Sequence, residues 1–354
     1  MTHPAQTRPR TLTRPGDFVA AGLIAPGGAQ KLARVSARYS AAMTSHLASL
    51  VDSSDPADPI ARQFVPDPRE LETTPQERVD PIGDDAHAPC EGLVHRYPDR
   101  VLLKLVSACP VYCRFCFRRE TVGAAKGGML APEKLAAALD YIRARPQIWE
   151  VILTGGDPLA LSPRRLAETV RAIAAIDHVK VLRFHTRVPV AAPDLVTDDL
   201  VAAIRADGVS TWVALHANHP REIGAEARAA LDRFVATGVP LVSQTVLLRG
   251  VNDDPEILAA LMRAFVEARV KPYYLHHPDL APGTGHFRLS IAEGRRIVAE
   301  LMRRVSGLAR PAYVLDIPGG YGKIPLGSEA AAPDGAGGWR LEDSTGRIHP
   351  YRDA

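Results

Sequence analysis

Cysteine is scarce in this 354-residue sequence, which contains only four of them. So few thiols exclude the disulfide framework that stabilises small secreted domains. Apolar runs of about 18 residues are also missing, so no transmembrane helix is expected. The amino terminus lacks the apolar segment of a signal peptide, and the arginine-rich residues 2–15 are interpreted as an untargeted arm. These absences predict a cytoplasmic protein with no membrane partner.

Excess charge is absent as well, because the formal net charge is +3 and 23% of the residues are charged. Proteins that bind nucleic acids usually concentrate positive charge, so no nucleic-acid partner is predicted. The hydrophobic content of 46% is enough to bury a large core. We therefore expect one large domain with extensions, or two smaller domains.

The composition and the pattern of the sequence change near residue 85. Residues 1–85 are rich in Pro, Asp and Arg and are predicted to form an amino-terminal extension, with one helix near Ala29–Val51. Residues 86–326 are predicted to form the core, and residues 327–354 a short carboxy-terminal tail.

Strand patterns and helix patterns alternate throughout the core. The predicted strands are Val101–Val106, Glu150–Leu153, Val179–Phe184, Thr211–Leu215, Leu241–Leu247, Pro272–Leu275 and Ala312–Leu315. The predicted helices are Pro132–Arg145, Pro163–Ile176, Thr197–Ala206, Ile223–Thr237, Pro255–Val270 and Ala292–Val305. This alternation predicts an α/β fold with a parallel sheet, either a partial or complete (β/α) barrel or a doubly wound open sheet. In both folds a ligand binds beyond the carboxyl ends of the strands.

Three of the four cysteines, Cys109, Cys113 and Cys116, form a C-x3-C-x2-C motif directly after a predicted strand. A structural zinc site needs four ligands, whereas a four-iron cluster takes one thiolate for each iron. Three cysteines would therefore leave one iron open to a ligand that is not protein. The alternative is a zinc site completed by Cys90 or His95, although zinc motifs favour paired C-x2-C units.

The segment LDIPGGYGKIPL, Leu315–Leu326, places Lys323 after three glycines and a proline. It is not a phosphate-binding loop, because Ile317 and Ile324 stand where that motif requires Gly and Ser or Thr. A lysine on a backbone that permits close approach suits a Schiff base with an aldehyde cofactor such as pyridoxal phosphate (PLP). A solvated glycine-rich turn is the alternative.

The cysteine motif, with Tyr112 and Phe115 inside it, resembles that of the radical S-adenosylmethionine (SAM) superfamily. Combined with the D-x-P-G-G-x-G-K segment, it makes the chain closely similar to the lysine 2,3-aminomutase family over about residues 80–326. HRYPDRVLL, NHP, VLLRGVND and GHFR support the likeness. The resemblance implies a full or partial α/β barrel that uses a [4Fe-4S] cluster, SAM and PLP.

The resemblance also implies a role for individual residues. Cys109, Cys113 and Cys116 would hold the cluster, and Lys323 would hold PLP as a Schiff base. The remaining assignments are Arg96, Tyr97, Arg100 and Gln244 for PLP; Gly155, Gly156, Asp157 and His216 for SAM; and Arg118, Asp279 and Asp316 for the substrate.

The residues assigned to the substrate carry the prediction of its identity. Arg118 matches the position that binds the substrate carboxylate, while Asp279 and Asp316 match positions at its far end. Two carboxylates facing one ammonium suit lysine and would repel glutamate. In the GGD turn, Gly155 and Gly156 are predicted to let the backbone approach a ligand closely.

The implied reaction moves the amino group of L-lysine from C2 to C3, through a 5′-deoxyadenosyl radical, and gives β-lysine. It requires a small-molecule amino acid and a reducing partner such as flavodoxin or ferredoxin. The alternatives are another radical SAM enzyme, acting on a different amino acid, an RNA or a protein, and a non-catalytic iron–sulfur or zinc-binding module.

Larger members of the family carry zinc-binding cysteines near the carboxyl end that help to assemble subunits. Here no cysteine follows Cys116, and Asp254 occupies a position that can serve such a site. Structural zinc is therefore not expected, and homo-oligomer formation is left open. The short build resembles the branch that makes β-lysine for elongation factor P.

Overall fold

A nine-stranded sheet dominates the computed structural model, which describes residues 11–123, 128–327, 331–335, 339–342 and 347–351. Its strands are β1 (Leu93–Tyr97), β2 (Arg100–Val106), β3 (Glu150–Gly155), β4 (Val181–Thr186), β5 (Ser210–His216), β6 (Leu241–Val246), β7 (Val270–His276), β8 (Ala312–Asp316) and β9 (Lys323–Pro325). They pair in chain order, with β2 to β8 parallel and the two outermost strands antiparallel to their neighbours. This curled sheet forms a partial (β/α) barrel, as the sequence predicted.

Helices connect the parallel strands and precede the sheet. They are α1 (Pro15–Ala20), α2 (Ala29–Arg38), α3 (Ser45–Ser49), α4 (Pro59–Phe64), α5 (Pro132–Arg143), α6 (Pro163–Ala174), α7 (Val188–Ala191), α8 (Asp198–Ala203), α9 (Ala225–Ala236), α10 (Pro255–Glu267) and α11 (Ile291–Arg304). Several begin with proline, whose fixed φ angle suits the first helical position. The Asp254 carboxylate caps α10 by accepting hydrogen bonds from the N–H groups of Glu256 and Ile257, at 2.7 and 3.2 Å.

Alternation along each strand separates the apolar core from the interior of the barrel. In β4, Leu182 and Phe184 are fully buried in the main hydrophobic core, which also contains residues of the connecting helices. Arg183 and His185, one position along, line the interior cavity instead. Successive side chains of a strand point to opposite faces, so each strand contributes both to the core and to a polar interior.

A hydrogen bond and an ion pair link β1, at one edge of the sheet, to β9 and β8 at the other. The N–H of Lys323, at the start of β9, donates a hydrogen bond to the Tyr97 hydroxyl at the end of β1, at 2.9 Å. Arg96 Nη1 lies 3.9 Å from Asp316 Oδ1 at the end of β8. The curled sheet therefore brings residues from the beginning and the end of the core to the same place.

The single helix predicted near Ala29–Val51 is wrong, because α2 and α3 are separate helices. Tyr39 is extended, with φ −128° and ψ 127°, and Thr44 begins α3 by accepting a hydrogen bond from the N–H of Leu47. The extended segment between the helices supplies backbone acceptors to the cysteine loop. The Ser40 and Ala42 carbonyls accept hydrogen bonds from the Arg114 side chain and the Tyr112 N–H, at 2.8 and 3.0 Å. A continuous helix would use these carbonyls internally.

The amino-terminal segment packs on the cysteine loop through a second apolar cluster. Phe18, Leu32 and Phe64 are buried there together with Val111 of the loop.

In the tail, β10 (Ala331–Pro333), β11 (Trp339–Glu342) and β12 (Ile348–Tyr351) form a small antiparallel sheet. The domain boundaries at residues 85 and 326 stay predictions. Within the described parts of the chain, no helix is long and apolar enough to cross a membrane.

Glu70 joins the amino-terminal segment to the cysteine loop and carries a prediction for stability. Its fully buried carboxylate accepts hydrogen bonds from Arg114, at 2.6 to 3.1 Å, and from Arg119. We expect Glu70→Gln to lower the free energy of unfolding by about 3–5 kcal/mol, because two buried guanidinium groups lose their counter-charge. Urea unfolding of the protein without cofactors measures this, with Glu72→Gln at an exposed neighbouring position as the control. Equal stability of the two variants would contradict the prediction.

Candidate active site

Side chains near the carboxyl ends of the parallel strands surround a cavity of about 300 Å³. The sequence-predicted site residues all line it: Arg96, Tyr97, Arg100, Cys109, Cys113, Cys116, Arg118, Gly155, Gly156, Asp157, His216, Gln244, Asp279, Asp316 and Lys323. The fold therefore brings the whole predicted set together.

The cysteine loop presents three free thiols, those of Cys109, Cys113 and Cys116, to this cavity. Burial raises the pKa of each thiol, to about 11 for Cys116. Buried thiols of this kind become thiolates when a metal replaces the proton. The donor set therefore fits a cluster that supplies its own positive charge.

The arrangement gives no support to the alternative of a zinc site. Among the described residues, no three His, Cys, Asp or Glu side chains converge as the ligands of a single metal ion would. The sulfurs of a four-iron cluster need not converge in this way, because each binds a different iron. Cys90 and His95 lie outside the set of residues that line the cavity.

Gly155 and Gly156 also allow a close backbone contact within the protein, which the sequence did not predict. A Cβ atom on Gly155 would collide with the Val106 carbonyl, and one on Gly156 with the Ala108 carbonyl. Gly155 also has φ +113°, which few other residues adopt. Both glycines let the end of β3 pack against the backbone that leads into the cysteine loop, so they position that loop. Contact of either glycine with SAM stays a prediction.

The buried Asp157 carboxylate is occupied by protein groups. It accepts hydrogen bonds from the Thr186 hydroxyl and the Arg187 N–H, both at 2.7 Å, and from the Leu159 N–H at 3.0 Å. Burial raises the pKa of Asp157 to about 6. Asp157 thus ties the end of β3 to the end of β4, and its predicted contact with SAM stays a prediction.

His216 offers a flat aromatic surface and a free ring nitrogen at the end of β5. Its ring stacks on Phe115 of the cysteine loop, with centroids 5.7 Å apart and an interplanar angle of 22°. Burial, with a smaller contribution from the charge of Arg187, lowers the pKa of His216 well below its usual value. Nε2 is buried and lacks a hydrogen-bond partner among the described residues. A neutral imidazole with an unused nitrogen beside the cysteines fits a polar ligand such as SAM.

The loop before Lys323 is packed rather than a solvated turn. Gly319, Gly320 and Gly322 have φ angles of +95°, +90° and +91°. A Cβ on Gly320 would collide with the His87 ring, whose Nε2 lies 2.9 Å from the Gly320 carbonyl oxygen. The loop is therefore held against residues 83–87 and fixes the direction in which Lys323 leaves it.

Lys323 projects into the cavity among groups that fit PLP. Its ammonium contacts the Asp316 carboxylate and lies 5.5 Å from the centroid of the Tyr274 ring. Arg96 Nε is buried and unpaired within the described structure. The Arg100 guanidinium stacks over the Tyr97 ring at 3.8 Å. A primary amine beside an arginine with an unsatisfied N–H suits an aldehyde that carries a phosphate.

Asp84 is a site residue that the sequence did not reveal. Its Oδ1 accepts a hydrogen bond from Arg96 at 3.1 Å, and its Oδ2 accepts two from Arg118, at 3.1 and 2.9 Å. Burial raises the pKa of Asp84, but Arg118 and the neighbouring cations more than compensate, so the net shift is downward. Arg118 also donates to the Thr154 hydroxyl at 3.2 Å. Asp84 therefore orients two of the predicted cofactor and substrate arginines.

Strand alternation adds further lining residues that the sequence analysis missed: Arg183, His185, Tyr273, Tyr274 and His276. The Nε2 atoms of His185 and His276 are buried without a partner in the described regions. Burial lowers the pKa of both rings, which are therefore neutral near pH 7. In β4 the signal was available, because Arg183 and His185 interrupt an otherwise apolar strand at every second position.

Asp279 and Asp316 interact electrostatically, and their pKa values shift in opposite directions. Burial, and then the charge of Asp316, raise the pKa of Asp279 to about 7. Burial also raises the pKa of Asp316, but His276 and Lys323 overcome this effect and lower it well below its usual range. His276 Nδ1 lies 3.6 Å from Asp316 Oδ2. Asp316 is thus a carboxylate paired with His276 and Lys323. Asp279 is a carboxyl group that would lose its proton when a cation binds next to it.

Comparison with known proteins gives consistent results. The radical SAM superfamily model matches residues 103–262. The L-lysine 2,3-aminomutase of Clostridium subterminale is 40% identical over 285 residues, which cover 80% of this chain and 68% of that protein. The enzyme of the same name from Acetoanaerobium sticklandii is 39% identical over the same shares of the two chains. The glutamate 2,3-aminomutase of Clostridioides difficile is 34% identical over 292 residues, 82% of this chain and 68% of its own.

Solved structures give a weaker likeness. A radical SAM methyltransferase from Sphaerobacter thermophilus has 22% identity and a TM-score of 0.44, over 63% of this chain and 68% of its own.

The partial barrel, the three-cysteine loop and the superfamily match together define a radical SAM enzyme. Within that class, the chain belongs to the lysine 2,3-aminomutase family and is an aminomutase-type isomerase. Membership implies a [4Fe-4S] cluster, SAM and PLP, the cofactors that the sequence predicted, and an amino acid as the small-molecule substrate.

Proposed function

We propose that this protein moves the amino group of L-lysine from C2 to C3 and releases β-lysine. The observation that carries the proposal is the carboxylate pair Asp279 and Asp316, of which Asp316 already holds a primary ammonium, that of Lys323. The side chain of a lysine substrate ends in the same group. A glutamate side chain would instead bring a third negative charge to the pair, which is unfavourable where the charges are shielded from water.

The lining residues divide into groups that would hold each cofactor. Cys109, Cys113 and Cys116 would hold the [4Fe-4S] cluster. His216 and the backbone of the Gly155–Asp157 turn would hold SAM. PLP would be held by Lys323 through its amine, and by Arg96, Tyr97, Arg100 and Gln244. When bound, the three cofactors supply reversible carbon-centred radical chemistry that amino acid side chains do not provide.

The substrate would be held at both ends by residues of opposite charge. Arg118 is fixed by Asp84 and Thr154, so its remaining guanidinium donors can bind the substrate carboxylate. While PLP is bound to Lys323, Asp316 would lack its ammonium partner, and the side-chain ammonium of an arriving lysine could take that place. The carboxylate of the substrate and the ammonium at the end of its side chain would thus be recognised by separate parts of the cavity.

Apolar residues complete the cavity and would exclude water from it. Val94, Val246, Leu248 and Phe287 also line it, and Leu248 and Phe287 are fully buried. Exclusion of water strengthens the electrostatic contacts inside and protects reactive intermediates.

The proposal predicts formation of β-lysine by the reconstituted protein. The chain is assembled without oxygen from iron, sulfide and PLP, and dithionite, SAM and L-lysine are added. Chiral separation and mass spectrometry should then show β-lysine, and L-glutamate in a parallel sample should give no β-isomer. A β-isomer of glutamate but not of lysine would overturn the substrate assignment, and SAM cleavage without any isomer would indicate another radical SAM reaction.

In the cell, we propose that a small low-potential protein such as flavodoxin or ferredoxin takes the place of dithionite. The cluster must be reduced before it can pass an electron to SAM, so a physiological electron donor is required. Replacing dithionite by purified flavodoxin or ferredoxin, each with its reductase, tests this step. An assay that gives product with dithionite and none with either carrier would exclude these donors.

A further inference from the structure

Arg187 brings a cation to one of the three cluster cysteines. It follows β4, is almost completely buried, and places Nη1 3.4 Å from the Cys113 sulfur, to which it donates a hydrogen bond. Its guanidinium also lies over the rings of Phe64 and Phe115, with its central carbon 4.6 and 5.6 Å from their centroids. The other two thiols interact with backbone groups, Cys109 with the N–H of Asp157 and Cys116 with that of Arg118.

The other arm of Arg187 is fixed from two directions. Nη2 donates to Gln63 Oε1 at 2.7 Å and to Glu222 Oε2 at 2.5 Å. Gln63 belongs to α4 of the amino-terminal segment, while Glu222 belongs to the loop after β5. Both side chains are fully buried, and Gln63 in turn donates to Glu222 Oε1 at 3.2 Å. The direction of Nη1 toward sulfur is therefore set by a rigid network.

The carboxylate of Glu222 is itself held by backbone groups. Its Oε1 accepts hydrogen bonds from the N–H groups of Asn218 and His219, both at 2.9 Å. These donors belong to the NHP segment that the sequence analysis noted without assigning it a purpose. The segment thus anchors the counter-ion of the arginine that reaches the cysteine loop.

We propose that Arg187 is a positioning residue that raises the reduction potential of the cluster by donating to the Cys113 thiolate, with Glu222 and Gln63 fixing its direction. The inference rests on the proposed [4Fe-4S] cluster but not on the proposed substrate. Reduction adds one negative charge to the cluster. A hydrogen bond and a positive charge at one of its sulfurs stabilise the reduced form more than the oxidised form.

The variant Arg187→Lys tests the hydrogen bond while it keeps the positive charge. A lysine lacks the planar fork that reaches Glu222 and sulfur together, so the donation to Cys113 is lost. We expect the midpoint potential to become more negative, with at least a tenfold lower ratio of reduced to oxidised cluster at a fixed potential, which corresponds to about 59 mV for one electron. An anaerobic redox titration followed by electron paramagnetic resonance measures it, without SAM, PLP or lysine.

A second variant should shift the potential in the opposite direction. Glu222→Gln removes the negative charge that compensates Arg187 but keeps an oxygen that can accept from Nη2, so the donation to Cys113 should persist, the reduced cluster should be stabilised and the midpoint potential should rise. Mere loosening of the structure would not give shifts of opposite sign in the two variants. If Arg187→Lys fails to retain iron, the sign of the shift in Glu222→Gln decides the question.

Arg221 provides a matched control. It joins the same two segments, through hydrogen bonds to Asp58 Oδ2 at 2.7 Å and to the Leu50 carbonyl, but it is not among the residues that contact Cys113. Arg221→Gln should therefore leave the potential unchanged. An unchanged potential in Arg187→Lys, or an equal shift in Arg221→Gln, would overturn the proposal. Because the titration contains no substrate, a wrong substrate assignment would not affect its result.

Discussion

The variant Lys323→Ala should bind the iron–sulfur cluster but lose both PLP absorbance and isomerase activity. Lys323 is the amine of a packed loop that points into the cavity, beside Asp316 and Tyr274. Without this amine the aldehyde has no covalent anchor. We expect activity to fall by about 10⁴-fold or more, as for other groups that carry covalent catalysis. Absorption spectra after reconstitution and a β-lysine assay measure the two losses.

Lys134→Ala is the matched control for this loss. Lys134 lies on α5, where it pairs with Glu91, and it is half-buried at the surface, outside the cavity. It should keep PLP, the cluster and full activity. The iron content of Lys323→Ala should equal that of the wild type, because the cysteine loop makes no use of this lysine. Undiminished PLP binding in Lys323→Ala would remove the residue from its assigned role.

The parallel strands could be predicted from the sequence because each carries its own local signal. β3 is an apolar run, and the helix α6 that follows it begins at proline; such units fold in only a few ways. The outermost strands lack this signal. β9 is three residues long and ends in Pro325, so its sequence is typical of a loop. It forms a strand because the packed glycine loop delivers it to the edge of β8.

The site could be predicted where a motif concentrates unusual residues, and not where partners are distant. The cysteines and Lys323 stand in short distinctive segments. Asp84 stands in an unremarkable loop, and its partner Arg118 lies 34 positions away. The link of Arg187 to Gln63 spans 124 positions. No local pattern announces such pairs, which exist only because the curled sheet and the amino-terminal segment meet at the cysteine loop.

The variant Asp279→Asn should lose most of its affinity for lysine. The affinity of the wild type should depend on pH, and that of the variant should not. Removing one partner of a buried charge pair costs about 2–5 kcal/mol, so we expect the KM for lysine to rise about 100-fold or more. In the wild type without its ligands the pKa of Asp279 is about 7. The affinity of the wild type for lysine should therefore fall as the pH drops below 7 and Asp279 takes up a proton, whereas the asparagine variant should show a flat profile. Steady-state kinetics between pH 6 and pH 8.5, at about half-unit steps around that pKa, measure both effects.

The same pKa predicts that Asp279→Asn stabilises the protein without its ligands. Because folding raises the pKa of Asp279 to about 7, the contribution of this group to stability is largest in acid and is lost as the pH rises through that value. An uncharged asparagine does not suffer this loss. Its advantage in the free energy of unfolding should grow from pH 5 to pH 8 and reach a few kcal/mol at most. Asp207→Asn, at an exposed position, should show no such growth. If Asp279→Asn instead unfolds more easily at pH 8 than the wild type, Asp279 is held by a native partner and is not a carboxylate kept ready for the ammonium of lysine.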